Sequence, residues 1–403
     1  MRFSFKKGYH RTYNKVMKYA SVILPIPIPK ILSGEGSVKK LVENKKLKKL
    51  KNILIVTDKV LVQLNLLDDL LNSLKENSIN YVIYDAVQPN PTIKNVEDGR
   101  ILYKKNKCDG IIAFGGGSPM DCAKIIGARV ANPYMSVRKM KGLFRVFLPI
   151  PPFFCIPTTA GTGSETTIAA VITDPDTHEK FAINDIKIVP KVAVLDPLLM
   201  VGLPPHITST TGMDALTHAV EAYIGLNGTK FTDQKAENAT KLIFENLEKV
   251  YNNPTDIEAR NNMALASFDA GLAFTRAYIG YVHAVAHNMG GMYGVPHGLA
   301  NAIILPYVLE YYGESSVNKL ADLARIVKIG ENKDSDEILS KKFIEKIKEM
   351  NENMKIPRFI KELKKEDIPL ITERALKEAN PAYPVPKIMS YKDCENLITK
   401  LLS

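Results

Sequence analysis

The amino-acid sequence predicts two halves of different texture: an α/β half built on a parallel sheet, then an all-helical half. Two patterns carry that prediction. Short apolar runs alternate with helical stretches as far as Asp196, the pattern of a parallel sheet covered by helices on both faces. Beyond the Pro-rich LPP at residues 203 to 205 the periodicity is helical and no convincing strand returns. A boundary near residues 200 to 204 gives an α/β domain of 1–203 and a helical domain of 204–403, as the length of 403 residues leads one to expect.

The elements follow in order. Residues 1–30 carry seven Lys/Arg and no acid and end in ASVILPIPIP. Three prolines and the lack of a small-residue cleavage pattern argue against a signal peptide, and the run cannot span a membrane. The segment reads as a basic N-terminal arm or edge strand, with an organelle transit peptide as the alternative. NILIVTD (52 to 58), NYVIYD (80 to 85), GIIAF (110 to 114), FFCIPTT (153 to 159) and VAVLD (192 to 196) are expected strands. VLVQLNLLDDLLNSLKEN (60 to 77) reads as one helix and VEDGRILYKKN (96 to 106) as another. After the boundary come STTGMDALTHAVEAYI, KAENATKLIFENLEKVY, RNNMALASFDAGLAFTRA, a histidine-rich segment and several charged helices.

Charge and cysteine narrow the class. The net charge is +11, but the excess is mostly scattered lysine, as in KKLKKLK (45 to 51), and no nucleic-acid-binding module accompanies it. Cys108, Cys122, Cys155 and Cys394 show neither C-x-x-C spacing nor a disulfide framework, so a reducing cytoplasm is expected.

Two segments carry chemistry in the first half. In GIIAF-GGGSPMD-CAKIIGA a strand, a glycine run and a helix follow one another, and Gly115, Gly116 and Gly117 let backbone N–H groups approach an anion at a helix start. Ser118 is the expected N-cap, Pro119 the first helical residue and Asp121 the acid of a capping box. A tight turn with ordinary capping is the competing explanation. Neither G-x-G-x-x-G nor a Walker motif is present. Asp58 ends the first strand of the alternating series, where ligands of open α/β sheets bind, and a carboxylate there accepts a ribose 2′-hydroxyl and repels a 2′-phosphate. Its plainer role is a helix N-cap or a solvated loop acid. IPTTAGTGSETT (156 to 167) adds the hydroxyls of Thr158 and Thr159 and room at Gly161 and Gly163, which a Gly/Thr turn would also explain.

Histidines mark the second half. Of seven in the chain, His283, His287 and His297 fall within GYVHAVAHNMGGMYGVPHG. Asp214 and His218 in GMDALTHAVEAY stand four residues apart, on one helix face, and His283 and His287 repeat the step. His297 lies between Pro296 and Gly298, in a break before an apolar helix. Three neutral imidazoles and one carboxylate make an N₃O set suited to Fe²⁺ or Zn²⁺. Spacing alone leaves His283 and His287 equally good ligands. No H-E-x-x-H is present, which argues against a zincin protease.

With GGGSPMD, PTTAGTGSE, GMDALTHAVEAY and HAVAHNMGGMYGVPHG in order, the chain resembles the iron-containing (group III) alcohol dehydrogenases from about Gly34 to NPAYPVP. Within that family it looks closest to enzymes of short primary alcohols, diols and lactaldehyde. The resemblance implies the dehydroquinate synthase-like fold: an N-terminal dinucleotide-binding domain and a helical domain with the metal in the cleft. It implies metal ligands Asp214, His218, His283 and His297, with His287 beside the nicotinamide. Gly115, Gly116, Gly117 and Ser118 would hold the pyrophosphate with Asp121 close by, and Asn90, Thr158, Thr159, Lys180 and Leu199 would line the rest. Asp58 would favour NAD over NADP. The arm to about Lys30 departs from shorter relatives.

The function expected is a metal-dependent oxidoreductase moving hydride between NAD(H) and a short-chain primary alcohol or aldehyde, on Fe²⁺ or Zn²⁺, with His287 as proton relay. A homodimer or larger homo-oligomer with no nucleic-acid or membrane partner completes the expectation. Three readings compete with it: a hydroxyacid–oxoacid transhydrogenase, a dehydroquinate synthase-like lyase, and a non-catalytic basic nucleotide- or nucleic-acid-binding scaffold.

Overall fold

In the computed structural model, which describes residues 2–177, 179–331 and 333–403, the chain forms two compact units. One holds Pro25–Gly202 and Thr255–Ala264; the other holds the residues up to Leu24 together with Leu203–Pro254 and Leu265–Ser403.

The first unit is α/β. Its strands are β1 (Lys30–Ser33), β2 (Asn52–Val56), β3 (Asn80–Tyr84), β4 (Gly110–Gly115), β5 (Gly142–Leu143), β6 (Phe153–Pro157), β7 (Ala169–Thr173), β8 (Lys180–Asn184) and β9 (Val192–Leu195). Six of them make a sheet in the order β1-β9-β6-β4-β2-β3, every pair parallel. Alternate residues point to opposite faces of a strand, and both faces are buried here. Ile53, Ile55, Ile112, Phe114, Phe154 and Ile156 enter one core, while Leu54, Val56, Ile111, Ala113, Phe153 and Cys155 enter the other. The chain runs from β2 to β3 on one side and from β3 to β4 on the other. The C-terminal ends of β2 and β4 therefore flank a topological switch point, where open sheets bind their ligands.

Helices α2 (Lys59–Gln63), α3 (Asp68–Glu76), α4 (Ile93–Lys105) and α5 (Gly117–Ala131) fill the crossovers. The single helix expected over 60 to 77 is two: the α2 C-cap is Leu64, and Asn65 adopts φ 58°, a left-handed turn that asparagine tolerates better than most residues. A small second sheet, β5-β8-β7, was not legible in the sequence. Cys108, Cys122 and Cys155 are buried as free thiols in this unit, and burial lifts each above its ordinary pKa.

The second unit is helical. It contains α1 (Arg2–Ile23), α6 (Pro205–Ile224), α7 (Lys230–Asn252), most of α8 (Ile257–Ala277), α9 (Tyr281–Tyr293), α10 (His297–Tyr312), α11 (Val317–Ile326), α12 (Asp336–Asn353), α13 (Ile368–Ala379) and α14 (Tyr391–Thr399). The basic arm was expected with the α/β domain, but its helix groups with this unit. The reason is a set of hydrogen bonds to carbonyls far along the chain: Arg11 to Val385 O and Pro386 O at 2.6 and 2.7 Å, and Asn14 to Pro381 O at 2.7 Å. The arm is not an edge strand: it is helical over Arg2–Ile23, and the edge strand β1, which pairs with β9 at the sheet margin, begins only at Lys30 and was not among the expected strands. Cys394 is the buried free thiol of this unit. No helix among the described residues is long and apolar enough to cross a membrane.

Candidate metal centre and nucleotide cradle

Helix α6 places Asp214 and His218 on one face, one turn apart, and both side chains are buried. Helix α9 carries His283, 1% exposed, and α10 begins at His297, which follows the N-cap Pro296. One ligand atom from each of Asp214, His218, His283 and His297 can be chosen so that all lie within 4.8 Å of one another. Donors bound to one ion about 2.1 Å away stand roughly 3 to 4 Å apart, so small rotamer adjustments would close the shell.

Further contacts fit a cation there. Asp214 Oδ1, His283 Nε2 and His297 Nε2 lie 2.7, 3.1 and 3.2 Å from a single atom, Asn301 Nδ2. Three acceptors thus aim at one donor that carries only two hydrogens, which is the convergence a metal ion uses. Burial, and then the nearby charge of His218, His297 and His287, hold His283 well below the usual histidine pKa. A neutral imidazole is the form that ligates. His218 is sandwiched between Phe274, centroids 4.2 Å apart, and His283, at 4.6 Å. The His297 side chain is 40% exposed, leaving an open approach on that side.

Close helix packing explains Gly298. A Cβ there would stand 2.4 Å from Thr210 O and 3.3 Å from Asp214 Cβ, so only glycine lets the start of α10 reach α6.

His287 stands apart from the quartet. Its Nδ1 is 2.6 Å from Glu378 Oε1, which also accepts from Tyr383 Oη at 2.8 Å. Burial raises the Glu378 pKa, but the charge and hydrogen bond of His287, with the Tyr383 bond, outweigh it and leave Glu378 below its ordinary value. His287 stacks on His297 with centroids 5.3 Å apart. Asn301, Glu378 and Tyr383 were missed in the sequence reading, because asparagine, glutamate and tyrosine carry no ligand spacing of their own. So was Glu221, which accepts from His283 Nδ1 at 2.6 Å.

In the α/β unit the glycine run lies at the switch point. Gly115 has φ 144°, and a Cβ on it would come within 2.7 Å of Pro119 Cγ. The cap differs from expectation. Gly116 is the N-cap, Gly117 the first helical residue, and no side chain caps α5. Ser118 and Pro119 are therefore inside the first turn and no capping box forms, which leaves the helix-start N–H groups directed outward for an anion. Asp121 turns inward instead, accepting from Ser164 Oγ at 2.8 Å and Val171 N at 2.9 Å. Lys124, one turn on, is fully buried and donates to Ser164 O, Ser164 Oγ, Thr167 Oγ1 and Ala169 O at 2.7 to 2.9 Å.

This staple holds the 158–167 loop against the glycines. Thr158 N donates to Gly115 O at 3.2 Å, and Thr159 Oγ1 would meet a Cβ on Gly116 at 3.4 Å. Lys180 Nζ reaches Asn90 Oδ1 at 2.9 Å, joining two expected cofactor residues, with Asn90 at φ 59°. Leu199 is nearly buried in a short 3₁₀ turn after β9. Asp58 Oδ1 accepts from Val60 N and Leu61 N at 3.0 and 3.1 Å, so it is the N-cap of α2, its plainer role.

Known proteins resemble this chain along most of its length. The family profile described as iron-containing alcohol dehydrogenase matches residues 28–197, and that of the Fe-containing alcohol dehydrogenase family, C-terminal, matches 208–402. The chain is 42% identical over 336 residues to a 1,3-propanediol dehydrogenase of Klebsiella pneumoniae, covering 82% of this chain and 86% of the relative. It is 37% identical over 346 residues to a lactaldehyde reductase of Escherichia coli K12, covering 85% and 90%. A crystal structure of a 1,3-propanediol oxidoreductase superposes with a TM-score of 0.90 at 36% identity, covering 94% of this chain and all of that one. The converging carboxylate and imidazoles, the glycine cradle and two profiles that together span most of the sequence lead to one conclusion: this chain belongs to the iron-containing alcohol dehydrogenase family, and it is an oxidoreductase.

Proposed function

We propose that the protein interconverts short-chain primary alcohols and their aldehydes with NAD(H), and that Asp214, His218, His283 and His297 hold a divalent iron ion. The convergence of those four side chains carries the reading. When bound, the ion supplies Lewis acidity toward the alcohol oxygen and NAD accepts the hydride. His287 serves as the proton relay, its ring oriented by Glu378 at Nδ1. The N–H groups of Gly115, Gly116, Gly117 and Ser118 bind pyrophosphate, and Thr158, Thr159, Asn90, Lys180 and Leu199 line the cofactor. Asp121 acts from behind, holding the loop. The functional division lies near residue 204. Buried, unpaired cysteines support a reducing cytoplasm. A homodimer or larger homo-oligomer completes the proposal and is tested by light scattering.

Asp58 both caps α2 and sets the cofactor. A 2′-phosphate about 4 Å from its carboxylate meets roughly 1 to 4 kcal/mol of repulsion, and 1.4 kcal/mol is tenfold in preference. Asp58→Ser keeps a capping oxygen and removes the charge. Iron-loaded wild type should make NADH from ethanol or 1,3-propanediol and prefer NAD by at least about tenfold. Asp58→Ser should gain activity with NADP. Turnover only with an added oxoacid, and no net NADH from any primary alcohol, would replace this reading with a transhydrogenase.

A further inference from the structure

We infer that Glu221 is a positioning residue of the metal centre, fixing His283 in the tautomer whose Nε2 lone pair faces Asp214 and His297; this rests on the ligand assignment proposed above. Glu221 lies on α6, seven residues after Asp214 and three after His218, so one helix supplies two of the proposed ligands and the support of a third. It is 3% exposed. Its carboxylate receives three donors: Gly280 N on Oε2 and Val282 N on Oε1, both at 2.8 Å, and His283 Nδ1 on Oε2 at 2.6 Å.

Two of those donors are backbone groups at the start of α9. The N-cap of α9 is Gly280, which has no side chain to offer, so the buried N–H groups of the first turn take their acceptor from α6. A carboxylate at a helix N-terminus is favoured by the backbone dipoles as well. Glycine at 280 is obligatory for this arrangement: a Cβ would stand 2.7 Å from Glu221 Oε1 and 3.1 Å from its Cδ.

The two ring nitrogens of His283 then have opposite roles. Nδ1 faces a carboxylate that only accepts, so it carries the hydrogen. Nε2 lies 3.1 Å from the Asn301 amide nitrogen, which only donates, so it carries the lone pair. The neighbours on both sides require the same tautomer. Ligating histidines are held in this way by an outer carboxylate, and loss of such a partner costs about 10- to 100-fold in metal affinity. Glu221 thus joins the capping of α9 to the aim of the ligand that α9 carries.

The test measures metal directly. Glu221→Gln places an amide N–H₂ against Val282 N in one orientation and against both Gly280 N and His283 Nδ1 in the other. We expect it to weaken Fe²⁺ or Co²⁺ binding by about 10- to 100-fold in chelator competition. We expect the visible spectrum of the cobalt-loaded protein to shift, since His283 is turned on the ion. A purely structural role would lower occupancy and leave the spectrum of bound cobalt unchanged. Gly280→Ala, which keeps the carboxylate but pushes a methyl against it, should reproduce both effects and decides the matter if Glu221→Gln fails to fold. His283→Ala separates the two readings. If it keeps full metal, the ligand assignment falls; if it loses metal while Glu221→Gln or Gly280→Ala binds with wild-type affinity and spectrum, only the role of Glu221 falls.

Discussion

His283 and His287 are the same residue type one helical turn apart, yet their surroundings divide them. His283 is buried within the quartet, with Glu221 behind it, whereas the His287 side chain is 37% exposed and paired with Glu378. His283→Ala should lose bound metal and nearly all turnover while still binding NADH. His287→Ala should keep its metal and lose about 100-fold or more in turnover, with a shifted pH profile, as removal of a general acid–base group does. Metal analysis and pH-rate curves on the two variants check this, and a metal-free His287→Ala protein would make His287 a ligand. The meeting of Asp214 and His218 with histidines of the 283 to 297 segment was legible because spacing encodes a helix face; the choice between His283 and His287 came only from the family resemblance, because Glu378, which engages His287, comes 91 positions after it. Asp58 shows the opposite limit: its place after a strand already allowed a helix N-cap, and the bonds from Val60 N and Leu61 N select that role over a solvated loop acid. Buried Glu165 gives a second residue-level prediction. Burial lifts its pKa to about 7, opposed by a backbone hydrogen bond and by Lys124. An acid whose folded pKa is raised binds more protons folded than unfolded between its ordinary value near 4.3 and about 7, so its contribution to stability falls as pH rises through that window. Glu165→Gln, which mimics the protonated acid, should leave melting unchanged at about pH 4 and stabilise by roughly 1 to 3 kcal/mol at about pH 8. Equal effects at both pH values would show that Glu165 does not titrate in this range.

At the scale of elements, strand positions came through well because buried parallel strands are short, nearly continuous apolar runs. The β5-β8-β7 sheet did not: β5 has two residues, and β7 and β8 alternate in burial within polar surroundings. The capping of α5 was misplaced by two residues because serine outranks glycine as an N-cap, and here glycine at the cap leaves the first N–H groups to a ligand. Packing between helices is the part that no local pattern records. Helices α6 and α10 meet at Gly298, where an added methyl would press on Thr210 O. Gly298→Ala should therefore push the first turn of α10, and His297 with it, away from Asp214. The expected outcome is a fall in metal occupancy of at least about tenfold with every proposed ligand intact, checked by metal analysis after dialysis against a chelator. Full occupancy would mean that α10 can shift without moving His297.

For the whole molecule, the change of texture near residue 204 was visible as periodicity, while the membership of α1 was not. Its bonds reach across some 370 positions to the backbone carbonyls of residues 381 to 386, and carbonyl acceptors have no sequence signature. The distribution of cysteine across the two units has a practical consequence. Three silent thiols lie in the α/β unit and one in the helical unit, all reduced, buried and shifted away from the reactive thiolate. Alkylation can proceed only when the surrounding structure opens, so each thiol acts as a clock for its own unit. Mass spectrometry after timed exposure to iodoacetamide should show added iron slowing modification of Cys394, and added NADH slowing Cys122 and Cys155. Identical protection of all four thiols by either ligand would mean that the protein opens as a single cooperative body. Distinct rates would turn four ordinary core cysteines into a readout of how the binding of each cofactor stiffens the chain.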